Sequence, residues 1–160
     1  MLWAEEDIDT QTSIVVLSIP AACNLEIINP DQTKTLGIEL PLEASFAAGY
    51  TEFDSAKPTL TVSANKSWKL TAKSSGFNIN GTYTKDTEDL QLKDTSASGH
   101  VRNGFGSYKS LTGIDQEVAS YIGGVKDESH PLQYKILLDY TKDIPGTYSA
   151  TVTYTLATQP

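Results

Sequence analysis

The sequence predicts an all-β fold, an antiparallel β-sandwich with long loops and little or no helix. Short runs rich in Tyr, Thr, Val and Ile alternate with stretches rich in Gly, Pro, Asn, Asp and Ser, which is typical of strands joined by turns. The segment 148–156 places apolar and polar residues at alternate positions, as a strand with one buried face does. The 160 residues are enough for one domain with a substantial core.

Residues 12–160 are predicted to form this single domain, because no repeat, low-complexity tract or linker divides them. Residues 1–11 are interpreted as an N-terminal tail. The small residue Ala4 fits the end of a removed signal peptide, and the same residues fit an ordinary start equally well. No stretch approaches the roughly 18 apolar residues of a membrane-spanning helix, so no membrane insertion is expected.

The first part of the chain contains four predicted strands, at 12–19, 25–28, 35–42 and 58–64. The strand at 12–19 is apolar on both faces, which predicts a position near the middle of a sheet with cover on both sides. Residues 44–50 include several small side chains, show no firm periodicity and are interpreted as a loop or a short turn of helix.

Two strand pairings are predicted from the connections. Asn65 and Lys66 suit a tight turn, so the strand at 58–64 and the strand beginning at Trp68 are expected to be antiparallel neighbours. Leu132 to Tyr140 alternate strictly, and a short connection leads from there to the long last strand. These two strands are therefore also expected to pair.

The region from Ser74 to Gly113 has weak periodicity, and long exposed loops are expected there. It has weak strand signals at 77–83 and 105–111, and a further strand is predicted at 117–122. Binding residues often lie in such loops.

Three residues of this region are candidates for recognition. The guanidinium of Arg102 suits a carboxylate, and the rings of Phe105 and Tyr108 suit a sugar face or another ring. In an alternative that is equally well supported, Phe105 and Tyr108 plug the loop onto the sandwich.

Charge and residue content exclude several classes of function. Twelve basic and twenty acidic residues give a net charge of -8, which disfavours nucleic acids and anionic membranes as partners. No nucleophile motif, phosphate-binding loop or zinc-binding pattern is present, so the chain is not expected to be an enzyme or to bind a cofactor or metal. His100 and His130 are expected to be solvated surface residues, Asp127 and Glu128 a solvated turn, and Cys23 a small buried residue.

Two similar triplets remain, Trp68-Lys69-Leu70 in mid-chain and Tyr154-Thr155-Leu156 near the end. Each places an aromatic residue and a leucine on one strand face, so the plain interpretation is two alternating core strands. The first follows Leu60-Thr61-Val62-Ser63, and the second follows Pro145-Gly146-Thr147-Tyr148. In this arrangement the chain resembles the WxL-domain proteins of Gram-positive bacterial surfaces, with Tyr154 where that family has its second Trp.

The resemblance implies a secreted, non-catalytic module that associates non-covalently with the cell wall, through peptidoglycan or another wall glycan, and with other surface proteins. The binding residues that it implies are those of the two triplets. Trp68 and Tyr154 are nevertheless predicted to be mostly structural. One alternative is a pilin-like or adhesin subunit that assembles by strand pairing. A second is a carbohydrate-binding module that uses exposed aromatics such as Phe105, Tyr108 and Tyr121.

Overall fold

The computed structural model describes residues 16–28, 43–52, 58–79, 85–146 and 148–160. The strands in these ranges are β1 Cys23–Ile28, β2 Tyr50–Glu52, β3 Thr59–Ala64, β4 Trp68–Ile79, β5 Leu90–Asp94, β6 Lys109–Ser110, β7 Gln116–Tyr121, β8 Val125–Leu137 and β9 Tyr148–Thr158. A short helix, α1, spans Glu43–Ala48, and a single 3-10 turn spans Thr87–Asp89. None of the helices in these ranges is long and apolar enough to cross a membrane.

The strands form two antiparallel sheets that pack against each other. The large sheet has six strands in the order β1-β3-β8-β5-β6, and β2 also pairs with β8. The small sheet has three strands in the order β7-β4-β9. The predicted all-β sandwich with little helix is therefore confirmed.

One apolar core lies between the two sheets. On β3 every second residue is buried, so that Leu60, Val62 and Ala64 point inwards. The long last strand also follows its predicted alternation, because the even-numbered residues from 148 to 156 pack against the core and the odd-numbered ones from 149 to 157 are exposed. The remaining buried apolar residues are Trp68, Leu70, Ala72, Phe77, Leu90, Leu92, Phe105, Leu111, Val118, Ala119, Leu132 and Tyr134.

The predicted hairpin between β3 and β4 is wrong. β3 pairs with β1 and β8 in the large sheet, whereas β4 pairs with β7 and β9 in the small sheet. The connection at 65–67 thus crosses between sheets. The side-chain amide of Asn65 accepts a hydrogen bond from Ala22 N at 2.8 Å through Oδ1 and donates one to the Pro20 carbonyl at 2.7 Å through Nδ2. These bonds tie the crossing to the segment that precedes β1.

The predicted pairing of the last two long strands is also wrong, because β8 lies in the large sheet and β9 in the small one. Both strands turn their apolar faces into the same core. A crossing between opposed sheets buries those faces as well as a hairpin would. The hydroxyls of Tyr134 on β8 and Tyr154 on β9 are hydrogen-bonded to each other across the core. The two strands therefore meet through side chains and not through a backbone ladder.

The predicted strand at 12–19 is wrong in its described part. Residues 16–20 are outside any strand, and Val16 and Leu17 are 87% and 78% exposed. The pairing of β1 with β3 begins at Cys23 opposite Ala64, the last residue of β3, so the preceding residues extend past the partner strand. Cys23 is exposed at this open end, which contradicts its predicted burial. Residues 12–15 and the predicted strand at 35–42 lie outside the described residues.

The region from Ser74 to Gly113 is less exposed than predicted. It contains β5, which was not predicted, and it contributes five fully or nearly fully buried side chains to the core: Phe77, Leu90, Leu92, Phe105 and Leu111. The predicted strand at 105–111 is reduced to the two-residue β6, whereas the one predicted at 117–122 corresponds to β7. The predicted strand at 77–83 is, in its described part, the end of β4.

A β-bulge separates the two halves of β4. The register with β9 shifts between Ser74 and Phe77, and Gly76 has a φ of 80°. A Cβ atom at Gly76 would lie 2.8 Å from Oγ1 of Thr87. Glycine therefore fits both the backbone conformation and the close approach of the 3-10 turn.

Candidate functional site

The two triplets that carry the resemblance lie side by side. β4 and β9 pair antiparallel, and Leu70 of the first triplet is directly opposite Leu156 of the second. Trp68 is opposite Thr158, and Tyr154 is opposite Ala72. The small sheet thus brings together two triplets that are more than eighty positions apart in the sequence.

The aromatic and leucine side chains of both triplets point into the sandwich. Trp68 and Leu70 are 0% exposed. Tyr154 and Leu156 are partly buried and pack against the same core. These four residues therefore stabilise the domain, and a ligand on the surface does not reach the Trp68 ring.

The middle residues of the triplets point the other way, onto the outer face of the small sheet. Lys69 and Thr155 line one shallow depression there, together with Thr71, Asp115, Glu117 and Ala157. Lys73 lies at the same face, with its Nζ 3.5 Å from Oδ1 of Asp115. We call this surface the motif face. It carries ammonium groups, carboxylates and threonine hydroxyls, and its depression is lined by no aromatic ring.

The Trp68 ring is held between two imidazoles inside the domain. Its centroid lies 6.1 Å from that of His100 and 6.0 Å from that of His130, in edge-to-face geometry with both. The indole Nε1 is buried and has no hydrogen-bond acceptor among the described residues. His100 in turn stacks on Tyr121 at 4.1 Å. Tyr121, a candidate aromatic for sugar binding, is therefore partly engaged by His100.

The two histidines belong to a chain of alternating carboxylates and imidazoles. His130 Nδ1 lies 2.7 Å from Oδ2 of Asp94, and its Nε2 lies 3.0 Å from Oε1 of Glu128. His100 Nδ1 lies 2.9 Å from both carboxylate oxygens of Glu128. The contact of His130 Nε2 with Glu128 has the distance of an ion pair without the angles of a hydrogen bond.

This arrangement corrects three predictions about solvated residues. His130 is fully buried, and His100 and Glu128 are largely covered. The reason is the face of β8 on which His130 lies, because its side chain points inwards with those of Leu132 and Tyr134. Of the predicted solvated turn, only Asp127 is exposed, and its carboxylate accepts a hydrogen bond from Ser63.

The cluster holds the loop that follows β5. Asp94, the last residue of β5, also accepts a hydrogen bond from Ser96 N at 2.9 Å. Further along, Ser120 N donates to the His100 carbonyl and Arg102 N donates to the Val118 carbonyl, which lines this loop up beside β7. The His130 and Glu128 side chains thus connect β8 of the large sheet to a loop that borders the small sheet.

The geometry of the cluster differs from that of a catalytic triad. Ser96 Oγ lies 3.3 Å from His130 Nδ1, which is the nitrogen that Asp94 already contacts. A triad has the carboxylate on one imidazole nitrogen and the nucleophile on the other. Nor do three or more His, Cys, Asp or Glu side chains converge on a metal position anywhere in the described ranges. The arrangement fits a structural cluster.

A tyrosine pair lies in the same core. Burial raises the pKa of Tyr134 to about 12, against the opposing effect of its hydrogen bond with Tyr154. Burial and the neighbouring Tyr134 hydroxyl raise the pKa of Tyr154 well above its usual value. Both phenols therefore stay neutral at physiological pH, and Tyr154 occupies a position that needs a hydrogen-bond partner as well as apolar packing.

The three predicted recognition residues are not brought together on one surface. Phe105 is 0% exposed and belongs to the core, as in the alternative in which it plugs the loop onto the sandwich. The Arg102 guanidinium donates to the carbonyls of Gly99 and Val101 in its own loop, at 2.9 and 3.2 Å. Tyr108 lies on the outer face of the large sheet beside Lys93 and Lys135.

The buried cluster is not among the sites predicted from the sequence, although one pattern in the sequence indicates it. His130 is separated from the apolar residues Leu132 and Tyr134 by an even number of positions, so a strand places all three on one face. The same spacing relates Asp94 to Leu90 and Leu92. A titratable residue that continues an inward-facing alternation is a candidate for burial with a partner.

Comparison with known proteins gives no family for this chain. No family model matches it, and no curated protein matches it. The resemblance to WxL domains therefore depends on the residues of the two triplets and their surroundings.

Proposed function

We propose that this protein is a non-catalytic module, secreted to a bacterial surface, that associates non-covalently with the cell wall and with other surface proteins. The observation that carries the proposal is the placement of the two triplets. Leu70 lies opposite Leu156, and the middle residues of both triplets line one depression. This adjacency supports the proposal because it lets the two triplets contribute to one common surface.

The motif face offers the groups that a peptidoglycan fragment requires. The ammonium of Lys69 suits a carboxylate of a stem peptide, and Asp115 and Glu117 suit its amino groups. The hydroxyls of Thr71 and Thr155 can donate to and accept from amides and sugar hydroxyls. Since the depression contains no aromatic ring, the polar peptide part of peptidoglycan is the better match.

The buried half of each triplet supports the same function indirectly. Trp68 and Leu70 fill the core behind β4, and Leu156 fills it behind β9. A rigid backbone at both strands fixes the positions of Lys69 and Thr155 on the outside. The aromatic and leucine positions would then be required for the shape of the surface, and the middle positions for contact with the ligand.

Co-sedimentation with purified peptidoglycan, stripped of anionic wall polymers, tests this proposal. The wild-type protein should pellet with the insoluble wall. Lys69→Gln should weaken binding by about tenfold, equivalent to about 1.4 kcal/mol. Lys126→Gln, at an exposed position of β8, is the matched control because it removes the same charge. Wild-type protein that stays in the supernatant, or equal losses in both variants, would contradict the proposal.

One observation favours assembly by strand pairing as a second candidate function. β9 is eleven residues long and contains no charged residue or proline. Within the described part of the chain it is an edge strand of the small sheet. Natural edge strands are usually short, charged or interrupted, because an open edge recruits further strands. A pilin-like or adhesin subunit would polymerise, so sedimentation velocity over a range of concentrations distinguishes it from a monomeric wall-binding module.

A further inference from the structure

A strip of alternating tyrosine and lysine side chains crosses the outer face of the large sheet, on the opposite side of the sandwich from the motif face. It contains Tyr50 on β2, Lys135 on β8, Tyr108 just before β6 and Lys93 on β5. Glu52 pairs with Lys135 across β2 and β8, and Gln91 pairs with Lys135 across β5 and β8. These pairings place the strip on three neighbouring strands, and we call it the tyrosine–lysine strip.

The strip has a regular order that is set by contacts between ammonium groups and rings. Lys135 Nζ lies 4.6 Å from the ring centroid of Tyr50 and 4.2 Å from that of Tyr108. Lys93 Nζ lies 5.6 Å from the Tyr108 centroid on the side of β5. Such cation–π contacts are attractive at these distances. Lys135 therefore spaces the two rings and holds them in place.

The two lysines differ in their availability. The Lys135 side chain is 19% exposed, and its Nζ lies 3.2 Å from Oε1 of Glu52, so much of its charge is already compensated. Lys93 is partly exposed and makes no ion pair with a carboxylate within the described part of the chain. Lys93 is thus the cation of the strip that can attract a negatively charged ligand.

The strip continues into a surface depression. Lys93 lines this depression together with Thr95, Ser96 and the backbone around Gly99 and Gly106. Asp94 also borders it, but its carboxylate is engaged by His130 at 2.7 Å. The surface from Tyr50 to the depression thus offers exposed aromatic area first, then a cation, then hydroxyl and backbone groups. An extended ligand with repeating units fits this sequence of groups better than a compact one does.

We propose that the tyrosine–lysine strip binds an anionic polysaccharide. Tyrosine rings stack on the apolar faces of sugars, and the Lys93 ammonium pairs with a carboxylate or phosphate on the polymer. The single available cation, on a chain with a net charge of -8, fits a polysaccharide in which charged units are interspersed with neutral sugars better than a nucleic acid, which carries a phosphate at every unit. The inference is independent of the wall-binding role proposed for the motif face.

Affinity electrophoresis of the whole protein tests this site with three probes: hyaluronate, which carries a carboxylate on every second sugar, as the carboxylate polymer, phosphomannan as the phosphate polymer, and dextran as the neutral one. At least one anionic polymer should retard the wild-type protein, and dextran should not. The polymer that retards it identifies which anion the site accepts. Absence of retardation by both anionic polymers, or equal retardation by dextran, would overturn the proposal.

Matched variants locate the binding. Lys93→Gln should weaken retardation about tenfold, and Lys126→Gln, with the same change of charge at another position of the large sheet, should not. Tyr50→Leu, which removes an aromatic residue that is 41% exposed, should weaken it by a similar factor. If Tyr50→Leu fails to fold, Lys93→Gln alone decides. Equal effects of Lys93→Gln and Lys126→Gln would reduce the interaction to general charge and overturn the site.

A variant that loses retardation by the anionic polymer should keep wall binding, and a variant that loses wall binding should keep retardation. Lys69→Gln on the motif face should leave retardation by the anionic polymer unchanged, and Lys93→Gln should leave co-sedimentation with stripped peptidoglycan unchanged. A loss of both activities in either variant would contradict the assignment of two distinct faces.

Discussion

Replacement of Trp68 by alanine should be among the most destabilising single changes in this domain. The side chain is fully buried, and both flanking imidazoles pack edge-on against its ring. Truncation of a buried tryptophan costs roughly 3 to 5 kcal/mol, out of a typical domain stability of about 5 to 15 kcal/mol. For a chain of this length, about 2 to 4 °C of melting temperature is lost per kcal/mol, so Trp68→Ala should melt roughly 6 to 20 °C lower.

The unpartnered indole nitrogen adds a sharper test. Trp68→Phe keeps an aromatic ring in the core and removes an N–H donor that has no acceptor among the described residues. A buried unpaired donor costs about 1 to 3 kcal/mol, which offsets part of the lost packing. Trp68→Phe should therefore cost less than half as much as Trp68→Ala.

Urea unfolding followed by far-ultraviolet circular dichroism measures both changes, since only two tryptophans exist and fluorescence would change with the substitution. A loss below about 1 kcal/mol for Trp68→Ala would refute the core role of this ring. Equal losses for the two variants would refute the argument about Nε1.

Two further predictions concern the polar groups of the core. His130→Leu should cost roughly 3 to 5 kcal/mol of unfolding free energy, because it leaves the Asp94 carboxylate buried without its imidazole. Adding Asp94→Asn should restore part of that loss, and no recovery in urea unfolding would argue against the pairing. The tyrosine pair predicts a pH dependence: the unfolded phenol ionises near pH 10 and folded Tyr134 near 12, so the folded state binds more protons between these values. The unfolding free energy should thus be intact below pH 10 and fall from about pH 10 to 12. Tyr134→Phe should make this decrease smaller, because only the raised pKa of Tyr154 then remains, and an unchanged pH profile in that variant would assign the effect to other groups.

The positions of the strands could be predicted from the sequence better than the pairing of one strand with another. Alternation identified β3 and β9 because it reports which side chains are buried. It does not report which strand lies beside them. Residues 65–67 and 138–147 each join two strands whose apolar faces share one core, and either a hairpin or a crossing between sheets would bury those faces. The structure contains the crossing in both cases.

Part of the candidate site could be predicted as well. The sequence indicates the two triplets, but their adjacency depends on the register of β4 with β9, which pairs Leu70 with Leu156. The Gly- and Ser-rich context of Phe105 predicts a recognition role for it. The structure buries its ring because the loop folds back, with Asp94 N donating to the Phe105 carbonyl at 2.8 Å. Such long-range contacts leave no local pattern in the sequence.

The tyrosine–lysine strip could not be predicted for a similar reason. Tyr50, Lys135 and Lys93 come from three strands that are distant in sequence, and only the pairing of β2 and β5 with β8 brings them together. Tyr108 was singled out from the sequence, but with Arg102 and Phe105 as companions. Its actual neighbours are the two lysines.

The most direct test of the wall-binding proposal is a nuclear magnetic resonance titration of the isotope-labelled protein with soluble peptidoglycan fragments. The backbone amide signals of Lys69, Thr71 and Thr155 should shift together and saturate with one dissociation constant, because these residues line one depression. Signals from the tyrosine–lysine strip should stay in place. Shifts confined to another surface, or none at millimolar fragment concentration, would contradict the proposal that the motif face contacts the wall.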